Sequence, residues 1–412
     1  MNTVLKFIFR IIPGLTFIFS GFVKAVDPVG GIIKIDDYFT AFHLTWLIPM
    51  ALPFAIIQAI VEFGIGFYLL VNLHTRIMAK VTLWLMAFFT LLTLVLAVFN
   101  PVSDCGCFGD AIKLTNWETF WKNVVVIIFT IGLYIFRKDY AENTNKIYKS
   151  AMSALPLIYA LWLSLYSYNH LPILDFRPYK VGVNVPSQMV IPEGAAMPEY
   201  ETTFILEKDG KQQTFTVDNY PYEDSTWVFV SSESKVIKEG YQPPLRDLSL
   251  MDEMQNDVTS EIVNHKGPLF LLISPKVETM NANNIMALSE LARGAEEKQI
   301  PFYLVTSSNF DKIDQFLVKN KTIFDVLQAD DVTLKTIIRS NPGLVLLYDG
   351  TIVGKWHFRD IPAKEILDQP LAKAIKNQTR QSSQKTVWLH IFALFFVTLL
   401  VANTFKTIKI QK

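Results

Sequence analysis

Cysteine is nearly absent. The chain of 412 residues has two, Cys105 and Cys107. That scarcity excludes a secreted domain held by several disulfides. Charge is scarce as well. Asp, Glu, Lys and Arg make up 18% of the residues, net charge is zero, and no long basic run occurs, so a nucleic-acid surface has no support. The sequence holds no serine–histidine–acid set, no phosphate-binding glycine loop and no HExxH, so hydrolysis and phosphoryl transfer have no visible machinery.

What the chain has in plenty is apolar surface. Hydrophobic residues reach 51% and the mean hydropathy is +0.28. This is too apolar for an ordinary soluble enzyme and too polar for a chain lying wholly in a bilayer, so a mixed membrane and soluble protein is expected. Apolar runs long enough to span a bilayer fall at about Val4–Phe22, Leu44–Val71, Ile77–Phe99 and Trp121–Phe136. A fifth, Ala151–Tyr168, is interrupted by Pro156, and a sixth is Val387–Phe405. The first run follows Lys6 and Arg10 as a signal peptide's would. It reads as a retained helix, because no clear cleavage site precedes "KAVDPVGG".

Basic residues set an orientation. Lys6, Arg10, Arg76, Lys80, the segment Arg137–Lys149 and the tail Lys406–Lys412 all fall on one side of a six-span chain, the cytoplasmic side by the positive-inside rule. The Cys105/Cys107 loop and the soluble region 169–385 then lie on the other side, the periplasm of a Gram-negative cell, and the protein is expected in the inner membrane. The soluble region divides in two. "TTFILEKDGKQQTFTV" reads as a hairpin turning at Asp209-Gly210, with a further strand at Thr226–Val230. Beyond it, strands at Pro268–Ser274 and Pro301–Ser307 flank a helix at Asn281–Lys298. A hairpin over Gly343–Trp356, turning at Asp349-Gly350, and a helix at about Pro362–Lys376 complete the order.

The two cysteines stand in "DCGCFGD". A disulfide wants Cα atoms about 4.4–6.8 Å apart. Residues i and i+2 meet that only when the backbone bends, which Gly106 permits. A bridge this short closes almost no loop and stabilises little through entropy, so it is a poor staple and a better redox pair. Asp104 and Asp110 disfavour a thiolate here, whereas a helix starting near the motif would favour one. Three readings stay open: a redox pair, a structural loop, and a metal site completed by distant ligands such as His170 or His390. Glu62, inside an apolar helix, is read either as a proton relay or substrate contact, or as the ion-pair partner of Lys24 or Arg10. Gly64 and Gly66 read as close helix packing.

Residues 1–136 resemble the DoxX/MauE family of small four-helix membrane proteins associated with redox chemistry. The resemblance rests on Arg10, Gly14, Ser20, Gly21 and Lys24, on Glu62, Gly64 and Gly66 in "VEFGIGF", and on "DCGCFGD" followed by Asn123. Residues 241–376 resemble a TlpA/ResA-type thioredoxin-like domain, with Pro342 at the family's cis-proline position. This chain departs from that pattern where the Cys-x-x-Cys should stand, since "SPKVETM" (Ser274–Met280) holds no cysteine. "RPYKVG" (Arg177–Gly182) belongs to the likeness with long DoxX-family proteins carrying an appended domain.

The expected fold is a mainly α membrane bundle, DoxX-like with additional spans, joined to a small β-rich segment and an α/β thioredoxin-like domain. Its divisions are 1–136, 151–168, 169–240, 241–376 and 387–405. The first reading of function is thiol–disulfide exchange through Cys105 and Cys107, with Glu62 as a further catalytic candidate, a quinone as possible cofactor, and a periplasmic client protein docked by the soluble domain. A non-enzymatic scaffold for envelope proteins is the alternative.

Overall fold

A computed structural model of the chain describes residues 3–140, 146–196, 199–208, 210–222, 224, 226–238 and 240–380. Six helices open the chain: α1 (Thr3–Val26), α2 (Pro28–Ala41), α3 (Ala51–Leu70), α4 (Thr75–Phe99), α5 (Asn116–Ile135) and α6 (Lys146–Asn169). Among the described residues, five helical segments are long and apolar enough to cross a bilayer, and α2 is not one of them. The chain is therefore a membrane protein. The sixth apolar run, Val387–Phe405, lies outside the described residues.

Helix α1 lies antiparallel against α3 at backbone contact. A methyl group at Gly21 would overlap the Phe63 backbone, and one at Gly66 would overlap the Ile18 backbone. Small residues are what permit such an approach where lipid gives helices no hydrophobic reason to associate. Gly64 serves the other side of α3, where a Cβ would stand 2.9 Å from Leu157 of α6.

The sequence reading differs from the structure in instructive places. Helix α2 was not expected. Asp27 caps it by accepting the Gly30 N–H at 2.9 Å, and Pro28 occupies its first turn, a start signal readable in "VDPVGG". Helix α5 begins at Asn116 rather than Trp121, because Thr115 and Glu118 form a reciprocal capping box. Pro156 does not interrupt α6, which runs continuously through it. One turn before the proline, the Tyr68 hydroxyl donates to the Ser153 carbonyl at 2.6 Å.

Among the described residues, the region after α6 holds two sheets. Strands β1 (Glu199–Lys208), β2 (Lys211–Thr216) and β3 (Val228–Lys238) form one, in the order β2-β1-β3. Lys208 opposite Lys211 marks the tight turn of the expected hairpin. β3 starts later and runs further than Thr226–Val230, because it pairs along β1 as far as Glu199↔Lys238.

The second sheet has the order β6-β5-β4-β7-β8. Its elements follow two short helices, α7 (Val185–Met189) and α8 (Thr259–Val263). They are β4 (Pro268–Ser274), α9 (Ile285–Glu297), β5 (Phe302–Thr306), α10 (Phe310–Asn320), β6 (Asp325–Gln328), α11 (Asp331–Ile337), β7 (Gly343–Tyr348) and β8 (Thr351–His357). β4 runs parallel to β5 and antiparallel to β7. Alternation along β4 sends Phe270 and Leu272 into a core with α9 and α10, and Leu269, Leu271 and Ile273 into another with Tyr179, Val185 and α11.

Two expected helices shift. The Asn281 side chain accepts the Asn283 N–H, a 3-10 turn follows, and α9 begins only at Ile285. At the end, a 3-10 stretch Lys364–Asp368 precedes a helix over residues 370–380, because Gln369 stands before Pro370 and is held out of the helical region. The segment α10–β6–α11 was not anticipated.

Candidate functional site

Helix α4 stops at Asn100, whose backbone is left-handed, and the chain then crosses to α5 through the cysteine loop. Asn116 ties the two ends of the crossing by donating to the Asn100 side chain at 2.8 Å and to the Val102 carbonyl at 2.9 Å. Inside the loop, Cys105 and Cys107 form a disulfide with Cα atoms 5.4 Å apart. Gly106 makes the bend at φ +65° and donates its N–H to Asp104 at 2.9 Å.

The loop is held by two helices. From α2, Tyr38 donates to the Cys105 carbonyl and Lys34 pairs with Asp104, both at 2.9 Å. From α1, Lys24 and Ser20 donate to the Cys107 carbonyl at 2.8 and 2.6 Å. Lys24 also pairs with Glu62 at 2.7 Å, and Gln58 donates to the other Glu62 oxygen at 2.9 Å. Glu62 is 3% exposed, so its charge depends on such neighbours for compensation, with Lys122 also lining the cavity.

Beneath the disulfide lies a cavity of about 80 Å³. Cys105, Cys107, Lys24, Glu62 and Asn123 line its polar end, and Met86, Phe89 and Phe108 its apolar wall. Asn123 is fixed there by donating to Thr93 Oγ1 at 3.1 Å. That volume holds several waters.

The structure thus brings Cys105, Cys107 and Glu62 to one cavity, with Lys24 rather than Arg10 as the partner of Glu62. The carboxylates flanking the cysteines are both neutralised, Asp104 by Lys34 and Asp110 by Arg339 at 2.9 Å. Helix α5 starts nine residues beyond Cys107, so its N-terminus is not at the thiols. Among the described residues no group of three metal-ligating side chains exists, and His170 pairs instead with Asp360 at 2.9 Å. His390 lies outside the described residues. Sequence reasoning missed Lys34, Tyr38 and Arg339. The start signal of α2 was the one clue to the first two, and nothing local marks Arg339.

The family model described as "Methylamine utilisation protein MauE" matches residues 2–136, about a third of the chain. A second, described as "Domain of unknown function (DUF8463)", matches residues 200–239, the three-stranded sheet. No curated protein and no solved structure matches the chain. The N-terminal bundle is similar to MauE, and the protein is a membrane protein with a MauE-like portion.

Proposed function

We propose that the chain is a membrane thiol–disulfide oxidoreductase, acting through Cys105 and Cys107 at the periplasmic face of the inner membrane. The observation that carries this reading is the disulfide lying directly over a membrane cavity that also holds Lys24 and Glu62. A client dithiol, deprotonated at one sulfur, attacks one cysteine sulfur, forming a mixed disulfide and releasing the other as a thiolate that takes up a proton. The second client thiol then displaces the remaining sulfur, leaving an oxidised client and a reduced Cys105/Cys107 pair. Re-forming the disulfide removes two electrons and two protons from the pair, and a bilayer quinone held beside Cys105, Cys107 and Lys24 would supply the oxidant for that step. Lys24 is the cation beside Cys107, suited to stabilise the released thiolate, and Glu62 is its proton-exchanging partner. The similarity to a methylamine-utilisation family is in keeping with a redox role in the membrane.

The soluble region reads as a thioredoxin-like unit that docks the client. Support comes from β4 at the centre of its sheet, parallel to β5 and antiparallel to β7, and from the cis Asn341-Pro342 bond before β7. It carries no thiol chemistry of its own. After β4 the chain makes a 3-10 turn at Val277–Thr279, and Asn341 clamps that turn by donating to the Lys276 carbonyl and to Thr279.

The test uses the purified chain in nanodiscs, with a dithiol peptide as donor and a short-chain quinone as acceptor. Quinone reduction should depend on both cysteines, and Cys107→Ser should trap a mixed disulfide at Cys105. A double-serine variant that still supports the cell's function, with no trapped adduct, leaves the scaffold reading instead. That second reading is favoured by the cysteine-free soluble unit.

A further inference from the structure

We propose that Arg339 is a positioning residue for the Cys105–Cys107 loop, through which the α/β unit governs the reactivity of the pair. The inference rests on the thiol–disulfide reading above. Arg339 leaves the α/β unit between α11 and the Asn341-Pro342 bond, and its side chain is 8% exposed. Its Nε donates to Asp27 at 3.0 Å, one terminal nitrogen to Asp110 at 2.9 Å, and the other to the Lys335 carbonyl at 2.8 Å.

The two carboxylates are not equivalent surface groups. Asp110 belongs to the redox loop itself, three residues past Cys107. Asp27 caps α2, and α2 presents Lys34 to Asp104 and Tyr38 to the Cys105 carbonyl. A single guanidinium therefore reaches the pair from both flanks, through Asp110 on one side and through Asp27 and α2 on the other. Burial works against its charge, but Asp27 and Asp110 outweigh burial and hold its proton more firmly than usual. The gap bounded by Asp27, Asp110, Leu174 and Arg177 is only about 10 Å³. That is at the lower limit for one water, and with Asp27 16% and Asp110 23% exposed the bridge is partly sheltered from solvent. Lys113, the other cation near Asp110, is 3.7 Å away and 69% exposed, a weak substitute.

Attachment of the α/β unit does not depend on this bridge. His170 at the end of α6 pairs with Asp360, and Asp175 in the following segment pairs with Lys355 of β8 at 2.8 Å. Both ties join the unit to the exit of α6; Asp175 borders the same gap as Asp27 and Asp110, whereas the His170–Asp360 pair is separate from the Arg339 bridge. Loss of Arg339 then frees the loop while leaving the unit tethered.

The full chain in nanodiscs is reduced, and the rate at which a maleimide alkylates Cys105 and Cys107 is measured. Arg339→Gln should raise that rate about tenfold, and Asp110→Asn should act in the same direction. The double variant should exceed neither single one by more than about twofold, since both remove one interaction. Arg339→Lys should restore most of the protection, and Asp360→Ala, which loosens attachment elsewhere, should leave the rate within twofold of the parent. A parental rate in Arg339→Gln and Asp110→Asn, or equal acceleration by Asp360→Ala, overturns the proposal. If Arg339→Gln does not accumulate, Asp110→Asn and Arg339→Lys carry the same comparison. Alkylation reads loop geometry whether or not the pair is oxidised in the cell, so failure of the redox reading is detected separately, by quinone reduction.

Discussion

Gly106 sits at φ +65°, and a Cβ there would stand 2.9 Å from Lys34 Cγ. A β-branched residue meets both obstacles at once. The left-handed backbone alone costs about 1–2 kcal/mol, and opening the ring relieves it, so Gly106→Val should shift the pair toward the dithiol by about tenfold. Mass spectrometry of the purified chain across graded glutathione buffers reads that shift, and an unchanged oxidised fraction would show that the glycine is dispensable. His357 supplies a pH signature. Burial, its main influence, pushes the imidazole down from 6.5 to about 4, with Arg359 and His170 adding to the effect and Asp360 opposing it. Its Nδ1 accepts the Arg359 N–H at 3.3 Å, which fits an unprotonated ring. Between pH 6.5 and 4 the unfolded chain binds a proton at this site and the folded chain does not. Stability therefore falls as pH drops through that window, by no more than about 3 kcal/mol. His357→Phe should flatten thermal melts recorded from pH 6.5 to 4. Cys105, Cys107 and Glu62 were legible because each is chemically out of place in apolar sequence. Arg339 was not, since its partners lie 229 and 312 residues away and a lone arginine before a proline carries no local mark.

At the scale of elements, long apolar helices announced themselves, and what escaped was short or set by caps. Helix α2 follows a readable Asp-Pro start, yet its own residues mix charge and apolarity without the length of a span. α10, β6 and α11 are brief, and tertiary packing decides them: Ile313 and Phe316 join one face of the sheet, Leu334 and Ile337 the other. Boundaries moved wherever side chains capped the backbone, at Thr115 and Asn281. The glycine reading of α3 has a sharper consequence. Gly66 touches the backbone of α1, whereas Gly64 faces a leucine side chain that can move. Gly66→Val should therefore force α1 and α3 apart and destabilise the bundle by roughly 1–3 kcal/mol or more, while Gly64→Ala should cost clearly less. Thermal unfolding in detergent compares them, and equal losses would contradict the close α1–α3 contact.

At the scale of the whole molecule, charge is sorted by end of the bundle. Lys6 pairs with Asp139 at 2.8 Å, the Tyr140 hydroxyl donates to the Lys6 carbonyl, and Arg76 donates to the Lys138 carbonyl. The start of α1, the start of α4 and the end of α5 therefore share one end, and it collects Lys6, Arg10, Arg76, Lys80, Arg137 and Lys138. The opposite end carries α2, the cysteine loop and both sheets, and some of its cations pair with carboxylates, as with Lys34 and Asp104 or Arg339 with Asp27 and Asp110. Lys and Arg near the ends of spans are kept on the cytoplasmic side, so the basic end should face the cytoplasm and the cysteine loop the periplasm. Single cysteines introduced on a Cys105→Ser, Cys107→Ser background test this. Replacements at Gln213 and Lys321, both exposed on the soluble part, should react with an impermeant maleimide in intact spheroplasts, and a replacement at exposed Lys138 only after lysis. Protection of Gln213 together with labelling of Lys138 would invert the molecule. The disulfide would then lie in a reducing compartment, where a redox pair of this kind is kept as thiols, and the oxidoreductase reading would fall with the topology.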